Sequence, residues 1–238
     1  MEKVDFMVVR SELFGMLVED FDNPKFLREF SQRMPIIYSE SASRSTLDDL
    51  VSEPFKKYYF GHSRYILSQS VFVDIAQESG IDVKINRCDS NGFPIALVSF
   101  GRFHFTLHYG KTPSEITCVK TSLIRKQHAA VNNEIVQPSL FSNGADFNNT
   151  QLSQAKNIYA NIIHGCRGKA DSFDANGFLR IAVPCLKSNR NGSKKFIFVE
   201  NVNLFDVLQV LIDRDNENQN NQAQPMPNTA MPKIRKVG

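Results

Sequence analysis

The spacing of apolar positions along this chain changes at Ile81. Before that point, Phe6, Val9, Leu13, Leu17 and Phe21 recur every three to four residues, the period of a helix with one buried face. Asn23 and Pro24 restart a helix. Asn23 serves as its cap, and Pro24 falls in the first turn, where a missing N–H costs nothing. Phe26, Leu27, Phe30 and Met34 form its apolar stripe, and Pro35 is predicted to end it. Ser39–Arg44 reads as a polar loop. Ser45 is predicted to cap a further helix whose first turn holds Asp48 and Asp49, and Pro54 to break or kink it. A longer helix is predicted from Ser63 to Ser79, closed by Gly80 in the left-handed conformation.

From Ile81 onward the period is two. Ile81, Val83 and Ile85 alternate with Asp82, Lys84 and Asn86, as in a half-buried strand. Asp89-Ser90-Asn91-Gly92 is a hairpin turn, Phe93–Phe100 returns, and Gly101 permits a bend before Arg102–Tyr109. With Glu115–Thr121 these segments predict a four-stranded antiparallel meander. Ser122–Val136 favours helix, and Gln137–Thr150 has the Pro, Ser, Asn and Gly of a loop. A strand carrying Ile158, Ala160 and Ile162 ends at His164-Gly165. Phe178–Val183 and Lys195–Glu200 predict another hairpin, and Asn203 caps a last helix buried through Leu204, Val207, Leu208 and Leu211. From Asp213 the sequence turns to Asn, Gln, Pro and charge, which predicts a disordered tail.

The fold expected is α+β: a helical region at 1–80 packed on a mainly antiparallel sheet region at 81–212, with a closing helix and a tail at 213–238. The first two regions are read as one domain. Of the 238 residues 42% are hydrophobic, enough for a substantial core, and 19 Phe with no Trp point to Phe as the filler. Cys88, Cys118, Cys166 and Cys185 match no zinc or C-x-x-C spacing and read as reduced thiols, Cys118 and Cys185 within apolar strands. No apolar run reaches membrane-helix length, and the start of the chain lacks the pattern of a signal peptide. The expectation is a soluble cytoplasmic protein with no membrane partner.

Charge is unevenly distributed. Residues 1–80 carry a net −4, residues 81–136 and 137–212 carry +3 each, and the tail carries +1. Such asymmetry fits either an anionic partner for the basic part or mutual attraction within one fold.

Candidate chemistry centres on Gly101–Gly110. Strand alternation puts Arg102, His104, Thr106 and His108 on one face and Phe103, Phe105, Leu107 and Tyr109 on the other. If the polar row faces solvent, it offers cation, imidazole and hydroxyl to phosphate or carboxylate. A second basic group, Lys187, Arg190, Lys194 and Lys195, flanks Asn191-Gly192 at a hairpin tip. His104-Phe105-Thr106 resembles the His-x-Thr motif of the 2H phosphoesterase family, in which two such motifs exchange protons with attacking and leaving oxygens. That resemblance covers three residues and implies roles for His104, Thr106 and His164. The second copy here is His164-Gly165-Cys166, with Cys where the hydroxyl belongs. No Gly-rich nucleotide loop, Gly-x-Ser-x-Gly elbow or His-Glu-x-x-His occurs, and Asp171 to Gly177 lacks the closing Glu of a calcium loop.

These features point to a non-enzymatic binding or regulatory protein that contacts nucleic acid or an acidic protein through Arg102, His104, His108, Arg190, Lys194 and Lys195. No cofactor or metal is implied. The alternatives are a phosphoesterase or nuclease using His104 and His164, and an interaction subunit of a larger assembly, such as an antitoxin-like or defence-system component.

Overall fold

The computed structural model describes residues 12–21, 24–47, 51–87, 92–112, 123–138, 145–147, 152, 154–167, 173, 177–188 and 194–223. Three helices come first: α1 (Glu12–Asp20), α2 (Lys25–Leu47) and α3 (Glu53–Glu78). Strands β1 (Asp82–Arg87), β2 (Pro94–Phe100) and β3 (Phe103–Tyr109) follow, then α4 (Leu123–Val131) and a 3-10 turn at Asn132–Glu134. A short pair, β4 (Val136–Pro138) and β5 (Ala145–Phe147), precedes β6 (Ile158–Cys166), β7 (Gly177–Ser188), β8 (Lys194–Asn203) and the closing helix α5 (Leu204–Ala223).

Six strands form one sheet in the order β1-β2-β3-β6-β7-β8. All its neighbours are antiparallel except β3 and β6, which run parallel with Phe103 opposite Ile158 and Tyr109 opposite His164. The architecture is therefore α+β, helices packed on a mostly antiparallel sheet. One face carries Val98, Phe103, Phe105, Leu107, Ile158, Ala160 and Ile162 into the core, under α1, α2, α3 and α5. Phe supplies much of the contact. Phe21 stacks on Phe105 at 5.5 Å, and Phe30 meets Phe72 edge-on at 5.5 Å. The opposite face of β6 and β7 is covered by α4 and its 3-10 turn. Every residue of β6 is buried, the pattern of a strand covered on both sides.

Several expectations need correction. Pro35 does not end α2, which runs on to Leu47. Met34, Ile37 and Tyr38 are buried around it, and that burial offsets the hydrogen bond that a proline cannot give. Ser39–Arg44 is therefore helix rather than loop, with the buried Ser41 hydroxyl donating to the Ile37 carbonyl at 2.7 Å. Ser45 lies inside α2 rather than at the start of a helix. Pro54 opens α3 rather than breaking a helix, because in the first turn it removes only an N–H that would have had no partner. The flank of β3 that the meander would have given to a fourth strand is taken by β6 in parallel; Glu115–Thr121 itself lies outside the described residues. The segment read as a loop from Gln137 holds part of the β4–β5 pair.

The C-terminal helix also outlasts its composition. It continues past Asp213 to Ala223, with Gln209 donating to Asp213 at 2.8 Å across one turn. A helix already nucleated on Leu204, Val207 and Leu211 extends through good formers such as Gln and Glu at little cost. Residues 224–238, Cys88, Cys118 and the Asp171–Asp174 loop ends lie outside the described residues. Two expectations match the structure closely: Gly80 takes φ +72 after α3, and the Asn203 carboxamide oxygen accepts from the Phe205 N–H at 3.3 Å at the start of α5. No described helix is long and apolar enough to cross a membrane.

Candidate functional site

Arg102 does not sit on the strand. It follows Gly101 (φ +53) in the β2–β3 turn and is tied to the end of α1. Its backbone N–H donates to Asp20 Oδ2 at 2.8 Å, its Nε lies 3.0 and 3.1 Å from the two Asp20 oxygens, and its Nη2 reaches Glu19 at 3.2 Å. The hydrogen bond to Asp20 raises the Arg102 pKa above its ordinary value. Here the acidic N-terminal part and the basic remainder attract each other within one fold, and the charge of Arg102 is met internally.

His104, Thr106 and His108 share the α4 face, as alternation predicts, but the row does not face solvent. Thr106 is 1% and His108 3% exposed. The sequence showed which residues share a face; it did not show that α4 lies beside it. His104, at the open end, is half-buried. Its Nε2 donates to Asn157 Oδ1 at 3.1 Å, and Ser99 Oγ lies 2.8 Å from its Nδ1.

Further along the same face lies a buried polar network. The Thr106 hydroxyl donates to Asn161 Oδ1 at 2.9 Å, and the Tyr159 hydroxyl donates to the same oxygen at 3.0 Å. Thr106 Oγ1 therefore accepts from His108 Nε2, 3.0 Å away. Asn161 Nδ2 is left with no hydrogen-bond partner. Burial, then Arg125, then His164 hold the His108 pKa well below the usual imidazole range, so its ring is neutral at pH 7. His128 on α4 stacks over Tyr159 at 5.4 Å and 28°; burial first and the nearby His104 second lower its pKa. Asn132 fastens the end of α4 to the sheet. Its Nδ2 lies 2.6 Å from the Tyr159 and Pro184 carbonyls, and its Oδ1 accepts from the Tyr159 N–H at 2.9 Å.

His164 belongs to the other face. The β3–β6 register places it beside Tyr109, among the core-facing positions, where its Nδ1 is hydrogen-bonded to the Tyr38 hydroxyl at 3.1 Å. Burial, with Arg64 adding to it, pushes its pKa down to about 3. His104 and His164 therefore do not converge on one phosphate, and the proton exchange that the motif resemblance implies has no shared site here. No family model, curated protein or solved structure matches this chain.

The remaining basic residues are dispersed. Lys194 and Lys195 lie on β8, the far edge of the sheet, three strand spacings of about 4.8 Å each from β3. Arg190 lies outside the described residues. Among the described residues, no group of three His, Cys, Asp or Glu side chains is placed to hold a metal ion. Sequence reasoning missed Tyr38, Arg64, Tyr159, Asn161 and Asn132. Tyr159 and Asn161 alternate with apolar residues on β6 and could have been read as facing the same side as Thr106; nothing local marked Tyr38 or Arg64.

Proposed function

We propose that this chain is a non-enzymatic binding or regulatory protein that takes phosphate or carboxylate groups of a polyanionic partner on the α4 side of its sheet. One observation carries the reading: His104 and the helix bearing Arg125, Lys126 and His128 stand on the same side, and α4 contains no carboxylate. Arg125 and Lys126 on α4 would supply N–H donors and positive charge to oxyanions, with His104 beside them. The buried Thr106, His108 and Asn161 hold the floor in place and make no contact with the partner. Nucleic acid is the first candidate partner and an acidic protein the second.

The test is fluorescence anisotropy of a labelled mixed-sequence oligonucleotide, with labelled polyglutamate alongside, at low and moderate salt. Oligonucleotide affinity is expected to fall as salt rises, and the double substitution Arg125→Ala with Lys126→Ala to weaken it and flatten the salt dependence by about one to two counterions. Binding of polyglutamate alone would shift the partner to an acidic protein. Binding of neither polymer at low salt would remove the reading.

A further inference from the structure

On the helix-covered face of the sheet a cation is buried with no counter-ion among the described residues. Arg64, midway along α3, is 7% exposed, and its Nη1 has no hydrogen-bond partner. It takes part in none of the ion pairs among the described residues. Its neighbours are rings: the guanidinium carbon lies 3.6 Å from the centre of Tyr109, 4.9 Å from Phe60 and 5.2 Å from Tyr38. Aromatic faces attract a cation but return only part of what desolvating it costs, and buried arginines are normally paired with carboxylates.

The surroundings suit an incoming anion. Helical side chains lean towards the helix N-terminus, so Arg64 lies back over the turn that holds Phe60 and Gly61. Gly61 leaves open space on that turn: a Cβ there would meet nothing within 4 Å. Phe60 and Tyr109 are only half-buried and form the rim. Below them the Tyr38 hydroxyl is hydrogen-bonded to a neutral His164, so neither group opposes an anion with charge of its own. Burial keeps the Tyr38 hydroxyl protonated, with Arg64 only partly opposing.

We infer that Arg64 anchors a binding site for a small monocarboxylate with an apolar or aromatic body, seated between α2, α3 and the ends of β3 and β6. The guanidinium edge takes a carboxylate through two parallel hydrogen bonds, and the rings of Phe60 and Tyr109 take the body. A phosphate dianion would want more donors than one arginine supplies.

The experiment is isothermal titration of the full chain at pH 7 with benzoate as the probe and inorganic phosphate as the comparison. Benzoate is expected to bind with one-to-one stoichiometry and phosphate about tenfold more weakly or worse. Arg64→Met, which removes the charge and keeps the length, is expected to lose about tenfold or more in benzoate affinity. Its unliganded melting temperature should equal or exceed the wild-type value, since an unpaired buried charge has gone. The inference is overturned by no benzoate binding at about 10 mM, by phosphate binding more tightly, or by unchanged benzoate affinity in Arg64→Met. Should that variant fail to fold, Gly61→Leu keeps the charge and fills the open space. It is expected to lose benzoate binding, and undiminished affinity there is equally decisive against the site.

Discussion

His104 and His164 stand on opposite faces of the same sheet. His104 pairs in register with Tyr159, and His164 pairs with Tyr109, five positions further along β3 than His104. An odd number of steps along a strand reverses the face. The two imidazoles therefore answer to separate surroundings, one at the half-open α4 edge and the other sealed beneath Tyr38 and Arg64. That separation leaves the two rings no common site at which to exchange a proton.

Acid should unfold this protein through its buried histidines. The pKa values of His108 and His164 are both held below their unfolded value near 6.5, that of His164 at about 3. Above pH 6.5 both states are neutral at these rings, and the native burial carries no penalty. Below it the unfolded chain gains protons that the folded one refuses, so stability is lost as pH falls from about 6.5 towards 3. Each ring contributes a slope of up to about 1.4 kcal/mol per pH unit in that window. Urea midpoints at pH 7, 5 and 4 should fall steadily, and His164→Gln should flatten the fall by one proton. A pH-independent midpoint would show that neither ring stays neutral in the folded state.

The junction of α1 with the β2–β3 turn makes an unequal prediction for its two partners. Asp20 accepts both the Arg102 backbone N–H and the side-chain Nε, whereas Arg102 has Glu19 as a second partner. Asp20→Ala should therefore cost about 1–3 kcal/mol by leaving a backbone donor unmet, and Arg102→Ala should cost less. Equal costs in denaturant unfolding would assign the junction to the side-chain ion pair alone.

How much of this was legible follows from the range of each signal. Gly80 and Asn203 act within a few residues, and both were read from the sequence. The polar row of β3 was read for which residues share a face and misread for exposure, because α4 comes later in the chain and covers the neighbouring strands. Pro35 misled for a related reason: the burial of Met34, Ile37 and Tyr38 that carries α2 through it is tertiary. Arg64 gave no sequence signal, since an arginine on a helix is ordinarily a surface residue. Its ring neighbours Tyr38 and Tyr109 come from two other elements.

Gly165 should tolerate no side chain. A Cβ there would overlap the Gly110 carbonyl oxygen and the Phe178 ring, and the first of these is backbone. The Gly110 N–H donates to the His164 carbonyl at 2.9 Å, so neither strand end can retreat without breaking that link. Gly165→Ala is expected to destabilise the fold by about 2–3 kcal/mol or more, and a melting temperature within error of wild type would refute the close approach.

The Thr106 hydroxyl joins the polar floor beneath α4, and its removal should cost more than one average hydrogen bond. Thr106→Val keeps the shape and deletes the oxygen that accepts from His108 and donates to Asn161. Because the site is sealed, water cannot replace it, and His108 Nε2 is left as a buried donor without an acceptor. We expect a loss of about 1–3 kcal/mol in chemical unfolding. His108→Phe removes the orphaned donor, so in the double variant the two costs should fall short of their sum by about 0.5 kcal/mol or more. Strict additivity would mean that Thr106 and His108 are not coupled and that the network is only an accident of proximity. A measurable coupling, together with unchanged oligonucleotide binding in Thr106→Val, would separate the floor that holds the site from the residues at its edge that meet the partner.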